Sequence, residues 1–386
     1  MDERLSWLMY QRVFGYGTVR SQRVLAAVGH PAELFSMSKD ALEQSRWLTP
    51  REQRQVLSRA ALESQADATL ARAYRLGCTV LTPDSQQYPQ RLRNIYAPPS
   101  VLYVLGSLSA IDDPRPAIAM VGTRKYTEYG RKVATDLTSQ LVQCGVVVVS
   151  GLAYGIDTIS HTAALAAGGC TVAVLGCGLD MVYPMANREL HGQILRSGGA
   201  VVSEFPPGEQ PLPFHFPIRN RVISGLSLGV VVVEGSRHSG SLITAGHAVT
   251  QDREVFAVPG EIYSEMSQAT NWLITQGATM ATCVEDILGQ FPYLRLTVPD
   301  MPDTQPAQLS FQLPQSSPAP VPTTALPSYL NENQRKILDC ISRQPVGSDE
   351  LAAETDLPIP AILSALTQLE LFGLIEACAG RRYQRK

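Results

Sequence analysis

The sequence predicts an α/β protein: a doubly wound, mostly parallel sheet, preceded by a helical domain and followed by a small helix-rich one. Three observations carry the prediction. Between about residues 85 and 290, apolar β-branched runs alternate with helical patterns, as expected of parallel strands covered by helices on both faces. Before residue 80 the pattern is helical throughout. Between Pro299 and Pro327, eight prolines sit among Gln, Ser, Thr and Ala, a composition that sustains neither helix nor sheet and reads as an extended tether. The division expected is a helical domain over 1–75, an α/β domain over 76–298, a proline-rich linker over 299–328 and a C-terminal domain over 329–386. That count agrees with roughly two to three domains for 386 residues at ~150 residues each.

The composition narrows the function. Apolar residues make up 45% and charged residues 17%, which excludes wholesale disorder. The formal charge, 32 − 35 = −3, excludes a protein that holds nucleic acid by bulk charge, so any such role is local. Met1 to Tyr10 lacks the apolar core of a secretory signal, and no apolar run approaches the ~18 residues of a membrane span. A cytoplasmic protein with no membrane partner is expected. Seven cysteines without a C-x-x-C pair read as reduced core residues rather than as a disulfide frame or zinc site.

Taken in order, the first element of note is Phe14-Gly15-Tyr16-Gly17-Thr18, which fits the turn of a helix-hairpin-helix. Its glycines allow backbone N–H groups to face a phosphate, or the hairpin is purely structural; nine basic and eight acidic residues through residue 70 leave both readings open. The expected strands are Ala117–Val121, Val146–Ser150, Thr171–Leu175, Ala200–Ser203, Val230–Glu234 and Glu254–Val258. In open sheets of this kind, ligands bind outside the carboxyl ends of the strands. Three of those ends suit anions. Gly122, Thr123 and Arg124 follow one strand and combine close approach, a hydroxyl donor and a buried guanidinium clamp. Ser150-Gly151-Leu152-Ala153-Tyr154-Gly155-Ile156-Asp157 is a small-residue turn opening a helix, and Gly176-Cys177-Gly178 is a glycine pair after another strand.

None of these is a dinucleotide fingerprint: Gly151 and Gly155 are wrongly spaced, and position 181 is methionine where a third glycine would stand. With no G-K-[ST] triplet, a P-loop ATPase is excluded. Two later segments add to the same crevice. Phe214 to Arg221 sets Arg219, Asn220 and Arg221 beside aromatic rings, and Glu234 to Thr244 supplies Ser239, Gly240, Ser241 and Thr244 at a helix start. Asp157 and His161, four apart on a helix, form a candidate acid/base pair, but helix-start chemistry for Asp157 and core packing for His161 account for them better. No G-x-S-x-G elbow and no dense metal-ligand spacing occur, so binding is favoured over catalysis, with no cofactor and no metal expected.

These motifs, in this order and spacing, resemble the DNA-processing protein A (DprA/Smf) family: Gly122-Thr123-Arg124, Ser150-Gly151-Leu152-Ala153-x-Gly155-Ile156-Asp157, Phe216-Pro217-x-Arg219-Asn220-Arg221 and Ser239-Gly240-Ser241-Leu242-x-Thr244-Ala245. Tyr88-Pro89 with Leu92, and Gly176-x-Gly178-Leu179-Asp180 with Tyr183-Pro184, extend the likeness over roughly residues 80 to 285. The resemblance implies an extended Rossmann-like domain that binds single-stranded DNA, forms a homodimer and has no catalytic activity. It implies a recombination mediator that protects incoming DNA and loads the RecA recombinase during natural transformation. Carried over, the phosphate pocket comprises Arg124, Ser150, Gly151, Arg219, Asn220, Ser239, Gly240, Ser241 and Thr244. One departure stands out: Ser267-Gln268-Ala269-Thr270-Asn271 replaces a common Ser-x-Gly-x-Asn, which puts that turn's conformation in question.

The C-terminal segment looks like a winged helix, with helices over Asn331 to Arg343, Ser348 to Glu354 and Ile359 to Leu371, a turn at Gly373 and a ribbon to Arg385. Its third helix carries no Lys or Arg, so it reads as a protein-contact module, with DNA contact limited to the tail from Arg381 to Lys386. Two other functions compete. A nucleotide-hydrolysing enzyme of the phosphoribohydrolase type would need P-G-G-x-G-T-x-x-E, and Glu234 to Thr244 lacks both the P-G-G and the later glutamate. The third is a helix-hairpin-helix repair adaptor. The tether makes a direct prediction: limited proteolysis should cut first between Pro299 and Pro327, and prolonged resistance there would count against the domain division.

Overall fold

A computed structural model describes residues 3–108, 116–294, 330–342, 346–355, 357–378 and 382–385. The expected tether, 299–328, lies outside the described residues, as do Arg381 and Lys386 of the tail. The chain forms two compact units, Met1–Pro302 and Asp303–Lys386.

The first unit opens with six helices: α1 (Glu3–Phe14), α2 (Val19–Val28), α3 (Pro31–Ser36), α4 (Lys39–Gln44), α5 (Pro50–Leu57) and α6 (Arg59–Arg75). The shortness of α2 to α5 follows from side-chain caps that restart the helix repeatedly. Thr18 accepts from Ser21 N, Ser38 from Ala41 N, and Thr49 and Glu52 form a reciprocal capping box. Glu52 also takes the guanidinium of Arg20 at 2.5 Å, which holds its carboxyl down at about 2.

The sheet that follows has nine strands: β1 (Thr79–Leu81), β2 (Leu102–Gly106), β3 (Ala117–Val121), β4 (Val147–Ser150), β5 (Thr171–Leu175), β6 (Ala200–Ser203), β7 (Gly229–Val232), β8 (Glu254–Ala257) and β9 (Thr279–Met280). Helices alternate with them: α7 (Gln90–Arg93), α8 (Glu128–Gln143), α9 (Ile156–Ala166), α10 (Arg188–Arg196), α11 (His215–Leu226), α12 (Ser241–Thr250), α13 (Gln268–Thr275) and α14 (Val284–Leu288). The order is β1-β2-β6-β5-β4-β3-β7-β8-β9, parallel from β6 to β9 with β1 and β2 antiparallel at one end. All six expected strands are present within two residues of their bounds. β1, β2 and β9 are additional to the expected strands: β1 and β9 have three and two residues, too few for a periodicity, and β2 follows Pro98-Pro99.

Alternation along the strands divides the core. Val149, Val174 and Val232 pack beneath α11, α12 and α13, while Val148, Val231 and Phe256 face α8 and α14. A third cluster joins Tyr103, Leu175 and Val201 of the sheet to Trp7, Leu8 and Tyr10 of α1, so the helical segment shares a core with the sheet. Its glycine turn is used there. Gly17, at φ +58, has Arg221 Nε where a Cβ would stand, 2.3 Å away, and Tyr16 packs on Phe205 with ring centroids 4.7 Å apart. Arg221 in turn donates to both carboxylate oxygens of Glu204 at 2.5 Å, in a pair only 5% and 2% exposed.

In the second unit α15 (Glu332–Cys340), α16 (Ser348–Thr355) and α17 (Ile359–Leu371) enclose Ile337, Leu338, Leu351, Ile362 and Leu366 against a small sheet ordered β10 (Val346–Gly347), β12 (Arg382–Arg385), β11 (Ile375–Cys378). This is the winged helix expected. Arg382 of the ribbon is paired with Glu350 at 3.0 Å, and Ile359, Leu363 and Phe372 stand exposed on or beside α17.

Removing one partner of a buried ion pair strands the other charge at a cost of about 3–5 kcal/mol. Glu204→Ala should therefore lose about that much stability in urea unfolding, and the paired change Glu204→Leu with Arg221→Met should recover most of it.

Candidate functional site

β3 lies between β4 and β7, so the chain winds away from it in opposite directions and the loops leaving β3 and β7 part at their carboxyl ends. Between them lies a cavity of about 350 Å³. Gly122, Thr123 and Arg124 form one wall, Ser236, Ser239, Gly240, Ser241 and Thr244 the other, and Ala153, Asp157, Arg219 and Asn220 the floor, with Phe216 and Pro217 at the rim.

Backbone economy brings these together. Gly155, at φ +83, lies so close to the first wall that a Cβ would meet Thr123 O at 2.3 Å, and Ile156 N donates to that carbonyl at 3.2 Å. The N-terminus of α9 is thereby set against the loop carrying Arg124. Across the gap, α12 starts at Ser241, with the Ser239 and Ser241 hydroxyls 2.8 Å apart. Two helix N-termini therefore face one cavity, a setting that favours anions.

The charges on the floor are fixed by the fold. Asp157 accepts from Gly151 N at 3.1 Å and Ala153 N at 3.4 Å; burial pushes its pKa up, and Arg219 and these donors oppose that. Arg219, 5% exposed, donates to Gly151 O, Val174 O and Asn220 Oδ1. Arg124, expected as a buried clamp, instead stands exposed at the mouth, its Cζ 5.6 Å from the Phe216 ring centroid. With Asp157 opposing Arg219, the charged side chains lining the cavity leave one net positive charge, and it is the accessible one.

A narrow extension continues past Arg124 between Gly151, Gly176, Cys177, Tyr154, Tyr183 and Phe216. Tyr154 and Tyr183 are 50% and 43% exposed, and the Tyr183 and Phe216 rings lie 5.7 Å apart. In the sequence Tyr154, Tyr183 and Ser236 stand inside motifs with no role of their own. Their burial state was the missing signal.

Of the residues expected at the site, three lie off the cavity walls. Ser150 is fully buried and donates to Met120 O at 2.7 Å. Gly178 packs beneath Pro206, whose oxygen would be 2.6 Å from a Cβ there. Arg221 points to the opposite side of α11 and is engaged by Glu204, so the expectation that it joins Arg219 and Asn220 in the crevice is corrected. The Asp157–His161 pairing is also set aside, because His161 Nδ1 meets Thr171 Oγ1 at 2.9 Å while Asp157 is held by main-chain amides. The turn that departs from the usual glycine is well formed: Ala269 N donates to Gly235 O at 2.9 Å, and Asn271 bonds both ways with Gly260. Among the described residues no group of His, Cys, Asp and Glu could hold a metal ion, and no helix is long and apolar enough to cross a membrane.

Residues 79–292, which contain every residue of this cavity, match the DNA recombination-mediator protein A family. The chain belongs to that family. Residues 317–381 match the DprA winged helix domain. The chain is 38% identical over 301 residues to protein Smf of Escherichia coli (strain K12), covering 78% of this chain and 76% of the relative. It is 44% identical over 221 residues to DNA processing protein DprA of Bacillus subtilis (strain 168), covering 57% and 74%. Among solved structures, DprA of Streptococcus pneumoniae superposes with a TM-score of 0.62 at 34% identity, covering 75% of this chain and 98% of that one. DprA of Helicobacter pylori, solved for its single-stranded DNA binding mode, gives 0.50 at 28% identity, covering 55% and 94%. In this DprA-family chain α1 to α6 lie outside the matched regions although they share a core with the sheet.

Beneath the site, burial and the nearby Arg219 push His161 down to about 3 from 6.5. Its folded pKa lies below its unfolded one, so the stability it contributes is complete above about pH 6.5 and is lost as pH falls through that value toward 3. Between pH 7.5 and 5 the wild type should lose about 2 kcal/mol more than His161→Gln in urea unfolding.

Proposed function

We propose that this chain binds single-stranded DNA along its sugar-phosphate backbone in the crevice between the β3 and β7 loops, and acts there as a recombination mediator without chemistry of its own. The observation that carries the reading is the exposed Arg124 guanidinium, held over Phe216 between two helix N-termini. Gly122, Gly151 and Gly240 keep backbone amides close to the surface, and Thr123, Ser239, Ser241, Thr244 and Asn220 add neutral donors. Amides at glycine turns and a guanidinium suit phosphates rather than base edges, so recognition is expected to be independent of sequence. Tyr154, Tyr183 and Phe216 offer ring faces to unpaired bases, which a duplex keeps stacked inside.

Relatives support the assignment: a DprA from Helicobacter pylori has a single-stranded DNA binding mode, and the Bacillus subtilis relative is a DNA processing protein. The further steps, protecting incoming DNA in natural transformation, loading the RecA recombinase and acting as a homodimer, belong to the same proposal. The two carboxylates that a hydrolytic reading would recruit, Asp157 and Glu234, are both committed to hydrogen bonds within the fold. The winged helix, with an apolar outer face on α17 and its Arg382 paired, is proposed to contact protein rather than DNA.

A hydrogen bond to a charged group contributes roughly 1.5–3 kcal/mol, on the order of ten- to a hundredfold in affinity. Arg124→Ala should weaken binding of a short single strand by that factor in fluorescence anisotropy at fixed salt, with the wild-type affinity falling steeply as salt rises. Truncation after Pro302, the end of the first unit, should leave the affinity nearly unchanged. If the truncation abolished binding while Arg124→Ala were silent, the crevice would not be the DNA site.

A further inference from the structure

Glu234 has no part in the anion-binding wall, yet it is 2% exposed and stands at the end of β7 with its carboxylate turned away from the cavity. Its bonds all run to one loop. Its backbone carbonyl accepts from Thr123 N at 2.8 Å, prolonging the β3–β7 pairing one step beyond the strand. Its carboxylate accepts from Thr127 N at 2.9 Å and from Thr127 Oγ1 at 2.5 Å. One residue therefore grips both ends of the five-residue stretch Thr123-Arg124-Lys125-Tyr126-Thr127, and Arg124 lies inside the grip.

The fit is built for a carboxylate of this length. Gly130, in the first turn of α8, leaves the space that Glu234 fills: a Cβ there would stand 2.1 Å from Oε2. Thr127 in turn caps α8 by accepting from Gly130 N at 3.1 Å, so the carboxylate, the cap and the helix start are one connected set. The next residue extends the connection to the other side of the site. Gly235 N donates to Met266 O at 2.6 Å and Gly235 O accepts from Ala269 N at 2.9 Å, just before Ser236 and Ser239 enter the opposite wall.

We infer that Glu234 is a positioning residue for DNA binding, acting through Arg124 by fixing both ends of its loop. The inference rests on the proposed DNA site. Arg124 is exposed and its guanidinium rests over the Phe216 ring, so where it reaches depends on the backbone that carries it. An unanchored loop would have to be ordered each time a phosphate bound, and that ordering would be taken from the affinity.

Glu234→Gln keeps the shape and one acceptor for Thr127 N, but it replaces two charge-assisted bonds with neutral ones and forces the Thr127 hydroxyl to turn and accept from the amide NH2, so the anchor is weakened without being emptied. Measured on the full-length protein with a short single-stranded oligonucleotide at fixed salt, it should weaken binding about five- to thirtyfold. Its loss should be non-additive with Arg124→Ala: the double variant should bind no more weakly than Arg124→Ala alone. Hydrogen exchange of residues 122–130 should quicken while β4 and β5 keep their protection, a local readout that a general loss of stability would not give. Wild-type affinity in Glu234→Gln, or a loss fully additive with Arg124→Ala, overturns the inference. Should Glu234→Gln not fold, Thr127→Val, which removes one of the two bonds to the carboxylate, is judged by the same criteria. A silent Arg124→Ala would overturn the DNA site itself, whereas a weakened Arg124→Ala beside an unaffected Glu234→Gln would remove only the positioning role.

Discussion

The reversal of strand order at β3 is the constraint on which the site depends. Strands laid down after β3 go first to one side, β4 to β6, and then to the other, β7 to β9. A right-handed crossover on each side takes α8 and α12 away from each other, so no loop can close the carboxyl end between β3 and β7. The gap is a product of connectivity rather than of any one side chain. What the sequence adds is the lining: glycines where backbone must come close, hydroxyls at the start of α12, and one arginine left in water.

The parallel strands were legible because both faces of each are buried, which demands continuous runs such as Val147-Val148-Val149 and Val230-Val231-Val232. The site was legible as a set of strand ends, since topology assigns ligands to that edge whatever their identity. Arg221 shows where linear reading ran short. On a helix each residue turns about 100°, so Arg219 and Arg221 point about 200° apart and cannot share one crevice. The segment Phe214 to Arg221 reads as two arginines and an amide beside aromatic rings in one crevice because a linear string hides that rotation. The hairpin glycines were ambiguous for a related reason: a positive φ can be recognised as a need for glycine, but what fills the space beside it, here the Arg221 guanidinium, comes from 204 residues away in the chain.

The two arginines of α11 divide their labour by the side of the helix they occupy. Both are buried and both face a carboxylate, Asp157 for one and Glu204 for the other, so neither presents an uncompensated charge. Arg219 organises the floor by holding Gly151 O and Val174 O, the carbonyls at the ends of two neighbouring strands. Arg221 joins that same helix to the N-terminal hairpin. α11 is thus anchored from both sides before any ligand arrives, which is the kind of preorganisation that lowers the ordering cost of binding.

The shortness of β1 and β9, three and two residues at the two margins of the nine-stranded sheet, has a consequence for self-association. A long open margin is a template on which a second chain can continue the hydrogen-bond ladder, and from there to runaway polymer. Margins this brief offer too few free N–H and C=O groups to register an incoming strand. Among the described residues, the two margins of this sheet therefore favour contact between copies through helices and loops over the splicing of sheets into a ribbon.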